Sequence, residues 1–122
     1  MNSRAPNLVR RLFVAASLLL IPAGAWAHHG WSSYDSERTL ELKGSIQSSQ
    51  YQQPHGTLKL AVDKQTWLVV LAPPTRMKAR GLEPAMLKPG TEATVVGYPH
   101  RKTELELRAE RISVAGKTVK LR

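Results

Sequence analysis

The residues with the most specific chemistry in this chain are its four histidines, His28, His29, His55 and His100. The chain has no cysteine, so a metal site would be built from imidazole, carboxylate, methionine, backbone or terminal amine. His28 and His29 follow directly on Ala25-Trp26-Ala27, a small-x-small processing signal. A cut after Ala27 makes His28 the first residue, with its imidazole beside a free α-amine. Such a residue chelates through the amine and ring Nδ1, and a second imidazole completes a T-shaped set of three nitrogens. Tetragonal nitrogen ligation favours Cu(II), which also heads the affinity order for such donors. Copper, held by His28, His29 and His55 with His100 as a fourth candidate, is therefore the expected cofactor. Pro54 and Gly56 fix the turn around His55, whereas Arg101 and Lys102 beside His100 repel a cation. The plainer alternative for each ring is a solvated loop histidine.

The segment ahead of the histidine pair has the parts of a signal peptide. Arg4, Arg10 and Arg11 form a basic start without an acid, and Leu12 to Ile21 is apolar and uncharged. Pro22 and Gly24 interrupt this run, which is shorter than the roughly 20 residues a spanning helix needs. Residues 1–27 are thus expected to be removed, leaving a periplasmic protein of 95 residues without a membrane span. That length suits an arm over residues 28–37 and one domain over 38–122. The 95 residues carry 15 Lys and Arg against 9 Asp and Glu, a net charge of about +6. The positive charges are interspersed and densest at Arg76, Lys78 and Arg80, which keeps an anionic partner open. Without disulfides the domain depends on its own hydrophobic core.

The elements that must position the histidines follow from periodicity. Trp31 to Glu37 reads as an extended arm. Leu40, Leu42, Gly44 and Ile46 alternate with polar residues, as a half-buried strand requires, with Gly44 the expected bulge or bend. Ser48 to Gly56 reads as a polar loop. Thr57–Val62 and Gln65–Ala72 form two apolar runs joined by Asp63-Lys64, an antiparallel hairpin. Pro73-Pro74 ends the second run, and Thr75 to Arg80 with Gly81 behind it predicts one short helix. Leu82 to Lys88 allows another turn. Thr91–Tyr98 is a fourth strand, Pro99–Lys102 a polar loop, and Glu104–Val114 a fifth strand. Leu105, Leu107 and Ala109 fall out of phase with Ile112 and Val114, so this strand needs a bulge. Lys117 to Leu121 could add a final hairpin strand. The order strand, strand, strand, helix, strand, strand predicts an all-β, five-stranded OB-fold-like Greek-key barrel with one short helix. In that fold the first-to-second and fourth-to-fifth loops share one end, which would bring His55 and His100 together.

The chain carries, in this order, His28-His29 after the expected signal, Leu42-Lys43-Gly44, Pro54-His55, Trp67, Pro73-Pro74 with Arg80-Gly81, Leu87-Lys88-Pro89-Gly90 and Val95-Val96-Gly97-Tyr98-Pro99. By these motifs the chain resembles the DUF6152 family of small exported bacterial proteins. Members more usually carry Trp and Asn where this chain has Tyr51 and Gln53. The resemblance implies a fold and an exported compartment, and no activity.

Signatures of catalysis are sparse: there is no Gly-rich phosphate loop, nucleophile elbow or HExxH segment. Glu104, Glu106 and Glu110 read as a solvated outer face, and Met77 and Met86 as core filler. Asp35 and Glu37 are candidates to orient a ligand imidazole. Trp31, Tyr34, Tyr51 and Tyr98 with Arg76, Lys78 and Arg101 could stack and neutralise a single strand, but export and low aromatic content rank nucleic acid below an envelope partner. The expectation is a periplasmic copper-binding barrel with a role in metal carriage or envelope homeostasis. The alternative is a metal-free OB-type module binding an envelope protein, oligosaccharide or oligonucleotide. Oligomeric state has no signature in the sequence.

Overall fold

The computed structural model describes residues 30–122. The stretch read as a signal segment, the processing site expected at its end, His28 and His29 lie outside the described residues. Six strands follow one another: β1 (Leu40–Gln50), β2 (Thr57–Val62), β3 (Gln65–Val70), β4 (Glu92–Pro99), β5 (Glu106–Val114) and β6 (Lys117–Lys120). One helix, α1 (Pro74–Ala79), and a 3-10 turn, Pro84–Leu87, lie between β3 and β4. The spatial order is β3-β2-β1-β4-β5-β6, and a parallel pairing of β3 with β5 closes the first five strands into a barrel. This is the OB-fold arrangement, with β6 added as a hairpin on the far half of β5.

β1 is long because it serves two neighbours. Leu40–Ser45 pairs with β4 and Ser45–Gln50 with β2. It therefore extends past Ile46 into residues read as loop from their polarity. The bulge lies between Ile46 and Ser48 rather than at Gly44. Gly44 instead permits a close approach: a Cβ there would lie 2.0 Å from the Ala61 carbonyl oxygen, so only glycine fits. In β5 the expected phase change does occur. Gly97 faces Ala109 while Val96 faces Arg111, leaving Glu110 as the extra residue. The slip keeps Leu107 and Ala109 inside together with Ile112 and Val114, all at most 2% exposed.

The helix plugs one end of the barrel. Met77, Leu82 and Leu87 are fully buried there, and each aliphatic side chain so buried contributes about 1.5–3 kcal/mol relative to exposure. Gly81, with φ +83°, ends α1, and the Leu82 amide donates back to the Met77 carbonyl. Side chains from this segment also cover the outer edge of β6, which would otherwise offer free carbonyls. Arg76 donates to the Leu121 carbonyl, and Arg80 to the oxygens of Lys120 and Arg122. Among the described residues no helix is long and apolar enough to cross a membrane.

From residue 30 onward, the segment read as an arm is part of the folded body. Trp31–Ser33 is a 3-10 turn, and Tyr34 bridges to His100 as an added rung beside β4. Tyr34 is 2% exposed, which a solvated arm would not achieve.

At Gly97, where an added Cβ would sit 2.0 Å from the Arg108 carbonyl oxygen, Gly97→Ala is expected to cost about 3 kcal/mol. A matching fall in the urea midpoint, with the slope unchanged, is the measurement that checks it.

Candidate functional site

Pairing decides which side chains meet outside the barrel. Val70 lies opposite Arg108 and Leu68 opposite Glu106 across the parallel seam. Tyr98 lies opposite Arg108 across β4–β5, and the His100 amide donates to the Glu106 carbonyl. Residues directly opposite share a face, so Leu68, Val70, Glu106, Arg108, Tyr98 and His100 form one outer surface. Leu105, at φ +56°, turns the chain into β5, and its carbonyl receives the Leu68 amide as the first rung of the seam. The 31–34 segment crosses over this surface, and the β1–β2 loop brings His55 to its edge.

Arg108 is the centre. It is 5% exposed, and its guanidinium carbon lies 4.3 Å from the centroid of the Trp31 ring and 6.0 Å from that of Tyr34. Its Nη2 donates to His55 Nε2 at 3.3 Å. Arginine cannot accept, so in this contact His55 is a neutral ring whose Nε2 lone pair is engaged and whose proton sits on Nδ1. Arg122 lies on the same indole, 4.6 Å from its centroid. Burial, and then the positive charges of Arg76 and Arg122, lower the Arg108 pKa, while Tyr34 acts in the opposite sense.

The carboxylates of this face are held by phenols. Tyr34 donates to Glu106 Oε2 at 2.7 Å, and Tyr98 donates to Glu110. Burial first, then the bond to Glu106, pushes the Tyr34 phenol well above its ordinary range. For Tyr98 the bond to Glu110 is the leading cause of an upward shift. Glu106 and Glu110 are thus half-buried partners of tyrosines, not members of a solvated face; Glu104 is exposed as expected.

His100 is committed to its loop. Its Nδ1 accepts the amides of Lys102 and Thr103 at 3.1 and 2.9 Å, leaving the proton on Nε2, which faces Glu106 Oε2 at 3.8 Å. Its ring meets Tyr34 edge-on, at 5.1 Å between centroids. His55 and His100 reach the same face, and Glu106 borders both the groove lined by His55 and the cleft lined by His100. Among the described residues, however, no group of three or more His, Cys, Asp or Glu could hold a metal ion. Asp35 accepts the Glu37 amide and faces Arg101 at 3.9 Å. Met77 is core, as read, and Met86 packs against it. Tyr51, a stacking candidate from sequence, points its hydroxyl to the Leu82 carbonyl at 2.7 Å.

Beside the cluster runs a groove of about 250 Å³, with Leu68 and Val70 as its apolar floor and Gln50, Thr57, Pro54, His55 and Glu106 around it. Leu68 is the exposed large hydrophobic residue of the described surface. Glu106, Arg108 and Arg122 carry this site and were absent from the sequence-level ligand candidates. An arginine between Leu107 and Ala109 is placed outward by period two, and nothing in that pattern marks it as roofed.

A family model described as "Family of unknown function (DUF6152)" matches residues 16–107. The chain belongs to the DUF6152 family. This DUF6152 chain matches no curated protein in comparison. It is similar in structure to the S. pombe Stn1–Ten1 complex, with a TM-score of 0.53 and 16% identity, covering 66% of this chain and 60% of that one. It is also similar to TiaS in its complex with a tRNA and ATP, with a TM-score of 0.50 and 15% identity, covering 73% of this chain and 20% of the other. The DUF6152 chain therefore spans less than two thirds of either relative, and at these identities the likeness is one of fold.

Tyr34 holds its proton more tightly folded than unfolded, so its contribution is complete below the ordinary phenol pKa of about 10 and is lost as pH rises above it. Tyr34→Phe is expected to cost about 1.5 kcal/mol near neutrality and to flatten that alkaline loss. Denaturant unfolding of both proteins on either side of about pH 10 checks the sign.

Proposed function

We propose that this protein is an exported binding module that takes its ligand in the groove over β2 and β3, between His55 and Glu106. The observation that carries this reading is the engagement of His55 by Arg108. A buried guanidinium fixes the ring at the groove edge by its Nε2, so the ring serves as a wall of the groove. Leu68 and Val70 supply apolar contact, and Gln50, Thr57 and Glu106 supply hydrogen-bonding groups, a mixture suited to an extended polar ligand. OB barrels bind oligonucleotides and oligosaccharides on this same side. Export rests on the signal-like sequence of residues 1–27.

A second reading, divalent metal held by His28, His29 and His55, is favoured by one observation. Trp31 lies on the guanidinium that holds His55, and His29 and His28 precede it by two and three residues. Those intervals span at most about 7 and 11 Å of chain, so the pair begins within reach of the His55 side of the barrel. The positive charge of Arg108 opposes a cation there, which ranks this reading second.

Titration of isotope-labelled protein with a soluble oligosaccharide, an acidic peptide and a single-stranded oligonucleotide separates the two. The groove reading expects saturable shifts at the amides of Gln50, Thr57, Leu68 and Val70, with affinity falling at least about tenfold in Leu68→Glu, the scale of one lost apolar contact turned unfavourable. Silence of those amides with all three ligands, together with a nitrogen-rich Cu(II) EPR signal abolished by His55→Ala, would transfer the function to the metal site.

A further inference from the structure

We propose that the mouth of the barrel at the end away from α1 is a saccharide-binding site, with the Trp67 indole as its floor. This site is separate from the groove over β2 and β3 and does not rest on that reading. The two ends of the barrel are closed differently. At the helix end Met77 sits directly against Gly56, whose amide and carbonyl pair with Ala72 and Leu71 at the close of β3. Gln65 lies at the other end of the same strand, about 20 Å from Leu71. There β1 and β5 begin and β2 and β4 end. A cleft of about 540 Å³ opens between them, lined by these strand ends and the β4–β5 loop. Its volume is within the range of about 300–1,000 Å³ usual for small-molecule sites, which barrel mouths often supply.

Period two puts Trp67 on the inner row of β3 with Val69, and it packs on the core with Leu40, yet it is only half-buried. Among the described residues its ring has no aromatic or cationic partner, and its N–H has no acceptor and is open to solvent. The other described aromatic residues are engaged. Trp31 lies on two guanidiniums, Tyr34 and Tyr98 donate to carboxylates, and Tyr51 donates to the Leu82 carbonyl. An indole joins a flat apolar body to one donor, and Trp67 keeps both available at the cleft.

Around it stand Gln65, Thr103 and Glu104, exposed side chains without a protein partner among the described residues, with Arg38 and Lys102 beside them. Donors and acceptors, cations and acids are interleaved on this rim, so it selects no one sign of charge. A nucleic-acid strand calls instead for a basic track along its backbone. The ligand that fits is uncharged, with a flat apolar face for the indole and groups around its edge that both donate and accept. A pyranose ring has that form, and the cleft leaves room for more than one. The loop wall is set before the ligand arrives. His100 Nδ1 holds the amides of Lys102 and Thr103, the Arg101 amide donates to the Ser33 carbonyl, and the Leu105 carbonyl receives the Leu68 amide. A preset wall lowers the ordering cost of binding.

The test follows the Trp67 indole resonance, assigned through its own backbone amide, in the isotope-labelled full chain. The probes are maltotriose, cellotriose and chitotriose, with adenosine monophosphate alongside. The expected result is a saturable indole shift with one or more of the sugars. Its dissociation constant should rise by about tenfold or more in Gln65→Ala or Glu104→Ala, whose exposed side chains leave the fold intact. Silence of the indole with all three sugars overturns the proposal, and so does a shift unchanged in both variants. A shift with the nucleotide and none with the sugars would reassign the mouth to a nucleobase and end the saccharide assignment. The groove amides of Gln50, Thr57 and Val70 report separately. Their response without that of Trp67 leaves the groove reading standing and the mouth proposal fallen, and a Trp67 response without theirs supports the mouth alone.

Discussion

A guanidinium taken out of water must be surrounded by groups that replace its hydration, and Arg108 meets that demand by recruiting distant parts of the chain. Its neighbours are Trp31 and Tyr34 from the leading segment and His55 from the β1–β2 loop. Removing such a partner leaves a charge buried without compensation, which costs more than the contact itself supplies. The orientation of the leading segment, the posture of His55 and the shape of the groove beside it all follow from one side chain. The same residue sets His55 apart from His100. The His55 ring faces a permanent cation, and the His100 ring is spent on two loop amides.

Barrel closure creates the face on which this happens. β3 and β5 pair in parallel over only three rungs, Leu68 to Val70 against Glu106 to Arg108. That short seam puts an apolar strip next to an acid and a base, and the residues on both sides are thereby fixed to within the tolerance of a hydrogen-bond ladder. The bulge at Glu110 keeps the inner row continuous and turns the outer row so that Tyr98 meets Glu110. Two phenol–carboxylate pairs, Tyr34 with Glu106 and Tyr98 with Glu110, stand on the same face as the guanidinium. The outcome is a face on which a buried guanidinium, two carboxylates and two phenols lie beside an apolar strip. Arg122 extends this face toward α1, where Arg76 and Arg80 hold the edge of β6.

The chain itself determined the order of elements, because alternation of apolar and polar residues is a local property. β2, the Asp63-Lys64 turn, α1 with Gly81 and the need for a bulge in β5 are all legible there, and each lies within a residue or two of the observed place. The DUF6152 motifs were legible as well. What only the tertiary structure decided is which charged residues lose their water. Polarity hid the far half of β1, since Ser48 and Gln50 are held by β2 rather than by burial. It also hid Tyr34, which sits in a polar stretch yet is enclosed by His100, Glu106 and Arg108. Arg108 looks outward-facing from its place in a strand, and so it is; its burial comes from a segment more than seventy residues earlier folding across it. Periodicity assigns a side chain to a face, but what covers that face is set by the closure of the barrel, and no local pattern encodes it.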